Sequence, residues 1–213
     1  MFCSKCGTKI PDDSAFCYQC GARVVTQASA AAPQAETGGK DAVQKGPVTE
    51  KELLDAYYRS AECDVKDDFW GALSILSEYK ERAWDNDVFL LKLGRAYRRC
   101  NMPSKALECY MRAAEVNPNN ATIYVNAGAI YLLNGEYEDA VKLYKAGVDK
   151  INANPVEYNR DDIGVALANY GAALAGLGRK KEGEAYIRGA ESYGYPNGDA
   201  LREKYGLKNI WFK

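Results

Sequence analysis

An all-α fold is what the sequence predicts: about four stacked helical hairpins, preceded by a small metal-held segment and a tether. Three observations predict it. Small and large residues recur at a fixed interval of 34 through most of the chain. Four cysteines gather within the first twenty residues as two Cys-x2-Cys pairs. Between these regions, residues 24–48 hold no aromatic residue and no apolar periodicity.

The metal-held segment comes first. Cys3-Ser4-Lys5-Cys6-Gly7 and Cys17-Tyr18-Gln19-Cys20-Gly21 place two CxxC pairs ten residues apart. Four thiolates complete a tetrahedral shell for Zn²⁺ and leave no position open for water, so the site is structural rather than catalytic. The glycine after each pair permits the positive φ that a tight turn under a metal can require. A segment this short cannot bury enough surface to fold alone, so metal binding would supply most of its folding energy. Disulfides would need an oxidising compartment, yet Met1-Phe2-Cys3 opens the chain without a basic or apolar leader. A redox CxxC comes singly and in a βαβ setting that this sequence lacks. A rubredoxin-like iron centre uses the same four thiolates, and spacing does not separate the two metals. Residues 2–23, with the pattern FCxxCG…FCxxCG, resemble the short zinc ribbons found at the N-termini of many bacterial proteins. The resemblance implies one structural Zn²⁺ held by Cys3, Cys6, Cys17 and Cys20, and no particular activity.

Composition bounds the remainder. The chain has 213 residues, 47% of them hydrophobic, enough to bury one sizeable core beyond the metal segment. A net charge of −1 gives no global pull toward nucleic acid or an anionic membrane. The longest apolar stretch, Ile163 to Leu177, is interrupted by Asn169, so no membrane span and a cytoplasmic protein are expected. With no histidine, the commonest general base near neutral pH is missing. No motif marks a carboxylate or lysine constellation, and the expectation is a protein that is not an enzyme. Residues 24–48, from Val24 through Pro33 and Gly38-Gly39 to Pro47, read as a flexible tether. A coil of that length spans about 25–30 Å root-mean-square.

The tether opens onto the repeats. Ala72, Ala106 and Ala140 lie 34 residues apart, as do Leu76, Tyr110 and Tyr144, and Ser60, Gly94 and Gly128. A fourth copy, Gly171, Leu174, Gly178, Gly183 and Ile187, is offset by 43, with the nine extra residues between Gly147 and Ile163 as a longer loop or an extended helix start. The first copy, about 53–86, is the most degenerate and keeps mainly Ala56, Ala72 and Leu76. Small residues at the eighth and twentieth positions let paired helices approach, while large ones at the fourth, eleventh and twenty-fourth fill the space between them. One hairpin cannot bury its own apolar face, and stacked hairpins can. Near the end, a helix over Gly198–Tyr205, started by Asn197 and stopped by Gly206, would cap the stack.

The order Leu93-Gly94-x2-Tyr97, Ala106, Tyr110, Ala113, Pro118 resembles the tetratricopeptide repeat (TPR) signature, and the other copies follow it less closely. The resemblance covers residues 49–213 and implies a TPR-like solenoid of about four hairpins, a right-handed α–α superhelix whose first helices line a concave groove. Groove residues are then expected at the second, fifth, sixth, ninth, twelfth and thirteenth positions of each copy. These include Lys92, Arg95, Arg98 and Arg99 in the second copy, and Asn126 and Asn169 at the sixth position of the third and fourth. In such proteins asparagines at this position bond the backbone of an extended peptide. The carboxylate clamp that some TPR proteins use for chaperone tails is not reproduced on successive helices.

Each residue also has a plainer explanation. Lys92, Arg95 and Arg99, at i, i+3 and i+7, suit a solvated basic face as well as an acidic ligand. Cys63, Cys100 and Cys109 read as packed thiols within helices, most of the sixteen tyrosines as core, and Ile210-Trp211-Phe212 as packing on the last hairpin. Two functions follow. The leading one is a protein-interaction scaffold whose groove holds a protein or peptide, with the ribbon as an auxiliary contact. The alternative is a nucleic-acid-associated factor acting through the ribbon, for which Lys5, Lys9 and Arg23 against Asp12 and Asp13 offer a thin positive charge.

Overall fold

The computed structural model describes residues 46–207, and these contain nine α-helices, a 3₁₀ turn and no strand. The helices are α1 (Glu50–Val65), α2 (Phe69–Ser77), α3 (Asp87–Arg99), α4 (Pro103–Val116), α5 (Ala121–Asn134), α6 (Tyr137–Ala153), α7 (Arg160–Gly176), α8 (Lys180–Ser192) and α9 (Gly198–Lys204). They fall into two compact units, residues 46–83 with 96–105 and residues 84–95 with 106–207.

The turn inside each hairpin repeats more faithfully than the residues that make it. The backbone is left-handed at Asp67 (φ 56°), Asn101 (57°), Gly135 (77°) and Gly178 (88°), one position in each of the four copies. The next residue's amide then donates back to the helix it leaves. Asp68 N–H bonds Cys63 O, Met102 bonds Tyr97, Glu136 bonds Tyr131 and Arg179 bonds Leu174, each at 2.9 Å. These are the six-to-one bonds of the Schellman ending, which satisfy carbonyls the helix leaves open. Glycine enters this region freely, and aspartate and asparagine enter it at modest cost. The first copy, degenerate in sequence, therefore keeps the same turn.

The interval of 34 becomes packing in the second unit. Ala106, Tyr110, Ala140 and Tyr144 are all fully buried. A Cβ on Gly94 would run into the Tyr110 ring, and one on Gly128 would lie 3.2 Å from the Tyr144 ring. At the same position Gly171 meets backbone: a Cβ there would lie 2.6 Å from the Gly183 carbonyl oxygen and 2.9 Å from Ile187. Between hairpins, Tyr144 and Val148 of α6 pack with Tyr170, Ala173 and Leu174 of α7. Ala121, Ile151, Ile163 and Ala166 form a second cluster across α5, α6 and α7.

The nine extra residues are mostly helix. Compared with the preceding junction, α6 runs three residues longer, the connection gains two, and α7 starts four residues earlier. Pro155–Glu157 form the 3₁₀ turn in that connection.

In the first unit, α1 begins with a capping box. Glu52 N–H donates to Thr49 Oγ1, and Thr49 N–H donates to Glu52 Oε2. The Thr49 amide and hydroxyl, with the Arg82 guanidinium, hold the Glu52 carboxyl down at about 2. Arg82 also donates to the carbonyls of Gly46 and Pro47, so the chain entering α1 is tied to the segment after α2. Cys63 and Cys109 lie within helices as expected, but Cys100 sits one residue beyond α3, where the left-handed turn has begun. Its thiol donates to the Phe69 carbonyl at 3.2 Å.

The last helix follows the expectation with one difference. Asn197 occupies the N-cap of α9 without a side-chain capping bond, and Gly206 (φ 62°) ends it. What anchors α9 instead is Arg202. Its guanidinium donates to both oxygens of Glu184 at 3.0 Å and to both oxygens of Glu191 at 2.7 and 2.8 Å. The Glu184 side chain is only 3% exposed, and Arg188 supplies a further bond to it at 2.8 Å.

Three stability outcomes follow. Gly171→Ala should cost about 1–3 kcal/mol, because the new methyl meets backbone that cannot move aside. Gly128→Ala should be near neutral, since a ring can shift by tenths of an ångström and alanine gains about 1 kcal/mol of helix propensity. Urea melts of the two variants would separate these cases, and equal losses would contradict the packing account. Arg202→Ala should cost about 2 kcal/mol or more, somewhat below the loss from a wholly buried pair because Arg188 keeps one bond to Glu184. Thermal unfolding followed by circular dichroism would measure it.

Candidate functional site

The polar and basic residues expected to line a groove are exposed or half-buried, while Leu91 and Ala168, at the fifth position of their copies, are buried. On α5, Asn126 is half-buried, and its Nδ2 donates to the Thr122 carbonyl at 2.8 Å, leaving Oδ1 as an open acceptor. On α7, Asn169 is half-buried and its carboxamide has no hydrogen-bond partner among the described residues. On α3, Arg95 is exposed and Lys92 half-buried. Arg99 is committed elsewhere. It pairs with Asp64 of α1 at 2.6 Å, and its guanidinium lies 4.3 Å above the Phe69 ring, so both its charge and its flat face are engaged within the first unit. Arg98 is half-buried.

Sequence reasoning passed over apolar residues in the same register. Val165 on α7 is 42% exposed and Val88 on α3 is 47% exposed, both at the second position of their copies. Leu133 on α5, at the thirteenth, is 72% exposed. On α1, Leu54, Tyr58 and Val65 are exposed at the second, sixth and thirteenth positions. Large hydrophobic residues left in water at recurring positions are the usual mark of a contact surface. The signal was available, since the register that buries the fourth and eighth positions turns the second and thirteenth away from the core.

A second feature lies where the α4–α5 loop meets the α6–α7 connection. Asn117, Asn119, Asn120, Thr122, Asn154, Glu157, Tyr158 and Asp162 line a recess of about 480 Å³. The longer connection after α6 supplies Asn154, Glu157 and Tyr158, and the first turn of α7 supplies Asp162. Asn117 and Asn120 both donate their Nδ2 groups to Asp87, at 2.9 and 3.2 Å, and Tyr158 Oη accepts from the Ala121 amide at 3.0 Å.

Cys3, Cys6, Cys17 and Cys20 lie outside the described residues, as does Ile210-Trp211-Phe212. The donor set itself, four thiolates without histidine or carboxylate, suits tetrahedral Zn²⁺. Among the described residues no cluster of His, Cys, Asp or Glu could hold a metal, and no helix is long and apolar enough to cross a membrane.

Known proteins resemble the chain in parts. Residues 2–24 match the zinc-ribbon domain family and residues 94–135 match the TPR repeat family. Tetratricopeptide repeat protein 8 of Caenorhabditis elegans is 37% identical over 62 residues, which is 29% of this chain and 12% of that protein. The human protein O-mannosyl-transferase TMTC1 is 34% identical over 97 residues, 46% of this chain and 10% of that protein. The chain thus spans about a tenth of the length of these curated relatives. Among solved structures, MamA from Desulfovibrio magneticus RS-1, residue 41 to its end, superposes with a TM-score of 0.60 at 20% identity, over 77% of this chain and 86% of that one. The O-GlcNAc transferase of Thermobaculum terrenum, as its K341M mutant, does so with a TM-score of 0.52 at 18% identity, over 66% and 27%. The chain therefore joins a segment matching a zinc ribbon to an all-helical, TPR-like fold.

Proposed function

We propose that this chain is a non-enzymatic protein-interaction scaffold in three parts: a zinc ribbon over residues 1–23, a flexible tether over 24–48, and a repeat domain over 49–213 closed by the capping helix. The observation that carries the reading is the outward register of α5 and α7. Two asparagines with open carboxamide atoms share α5 and α7 with the exposed apolar residues Leu133 and Val165, on helices whose other faces are packed. An extended peptide needs that combination: acceptors and donors for its backbone, and apolar surface for alternate side chains. Asn169 bonds a backbone amide and carbonyl of the ligand, Asn126 accepts one N–H, and Arg95 with Lys92 favours acidic side chains nearby. Arg99 contributes to the fold of the first unit rather than to the ligand.

Zinc, when bound by Cys3, Cys6, Cys17 and Cys20, supplies the folding energy of the ribbon. The thiolates hold the ion and leave no open position, so the ribbon presents a rigid surface and no reactive water.

Elemental analysis of the purified, reduced protein should find about one zinc per chain, in keeping with a four-thiolate site. Cys17→Ser should lose the metal while the helical signal persists. Protein free of both zinc and iron would overturn the metal assignment. For the groove, Asn169→Ala should weaken a peptide partner by on the order of 1 kcal/mol, the usual cost of one lost hydrogen bond, without changing the melting temperature. Arg95→Glu should mainly slow association and flatten its salt dependence. A partner that binds the double variant undiminished would move recognition off these helices.

A further inference from the structure

The recess between the α4–α5 loop and the α6–α7 connection has a chemistry that the groove reading does not use. Its lining carries two carboxylates, Glu157 and Asp162, and no basic side chain. The amides that open α5 are already taken: Ala121 N–H donates to Tyr158 Oη at 3.0 Å and Thr122 N–H to Asn120 Oδ1 at 3.1 Å. An anion would therefore find neither a cation nor an open N–H at that helix start. Of the carboxamides in the α4–α5 loop, those of Asn117 and Asn120 each donate to Asp87, which leaves Asn119 with the one unengaged carboxamide there among the described residues. What faces outward is rich in acceptors. The side chains of Asn154 and Glu157 have no hydrogen-bond partner among the described residues, and Asp162 accepts one bond, from Asn159 Nδ2 at 2.7 Å. The ring of Tyr158 forms part of the wall and is fixed from behind by the cluster of Ala121, Ile151, Ile163 and Ala166.

We infer that this recess binds a guanidinium group, presented either by an arginine side chain of a partner or by a free guanidinium compound. A planar cation with five N–H donors matches several acceptors spread around one wall, and its flat face can stack on a phenol ring. An ammonium ion has three donors and no face, and suits the recess less well. The volume is within the range of small-ligand sites and exceeds what one guanidinium fills, so the group enters with a chain attached or with water. The site is specific to this junction, because the connection that builds it is longer than the one between the preceding hairpins. It stands or falls apart from the groove, since neither Asn126 nor Asn169 lines it.

The test titrates full-length, ¹⁵N-labelled protein with methylguanidinium, with methylammonium and with the peptide acetyl-Gly-Arg-Gly-amide. Saturable shifts at residues 117–122 and 154–162 are expected, tighter for methylguanidinium than for methylammonium. Glu157→Gln should weaken binding by about threefold, as for a partly exposed charge pair. Asn154→Asp, which adds a third carboxylate to the lining, should strengthen it. Asn169→Ala should leave it unchanged. Peptide binding much tighter than methylguanidinium identifies the source as a partner's arginine, and equal binding identifies a free guanidinium compound. Absence of saturable shifts, equal affinity for both small cations, or indifference to Glu157→Gln and Asn154→Asp together would overturn the proposal.

Discussion

How closely two helices approach is decided in this protein by what stands at one position of the first. In α3, α5 and α7 that position is glycine, and the facing helix brings Tyr110, Tyr144 or Ile187 against it. With nothing but a hydrogen there, a tyrosine ring can lie flat on the backbone and be fully buried, as Tyr110 and Tyr144 are. The next hairpin then packs on the other side of the same rings, as Tyr144 does against Tyr170 and Leu174. The α5–α6 hairpin thus leaves an apolar face for the α7–α8 hairpin, and stability in the second unit accumulates between neighbours.

Each of the two units holds an arginine that clasps several acceptors. Arg82 gathers Glu52 and the carbonyls of Gly46 and Pro47 at the start, while Arg202 gathers Glu184, Glu191 and Asp199 at the finish. A guanidinium suits the task because its five donors reach several acceptors at once without moving. The two clasps differ in the burial of their carboxylates. The Glu52 side chain keeps 36% exposure and serves mainly to fix the first turn of α1, whereas the Glu184 side chain is buried and takes bonds from both Arg188 and Arg202.

Legibility in the sequence followed the distance over which each feature is encoded. The residues at the 34-residue interval proved buried as a group, because burial depends on the local helix face and its neighbour one repeat away. The four left-handed turns escaped notice because Asp67, Asn101, Gly135 and Gly178 share a conformation and little chemistry. Asn126 and Asn169 drew attention through the sixth position of their copies, while Leu133 and Val165, apolar and exposed at the thirteenth and second positions, carried no polar signal. Arg99 looked like one member of a basic stripe, and only three dimensions reveal Asp64 and Phe69 beside it. The recess was out of reach altogether. Its halves, around Asn119 and Glu157, meet only after α5 and α6 have folded back on each other.

Cys100 has a consequence for thiol chemistry. Burial first, and then the carboxylates of Asp64 and Asp68, together raise its pKa to about 11. At neutral pH it is almost wholly protonated, and the thiolate is the species that attacks alkylating agents and is oxidised. Cys109, 1% exposed, is sterically closed to reagents as well. Cys100 and Cys109 therefore contribute little background to thiol labelling, and uptake of reagent by the folded repeats reports chiefly on the half-buried Cys63.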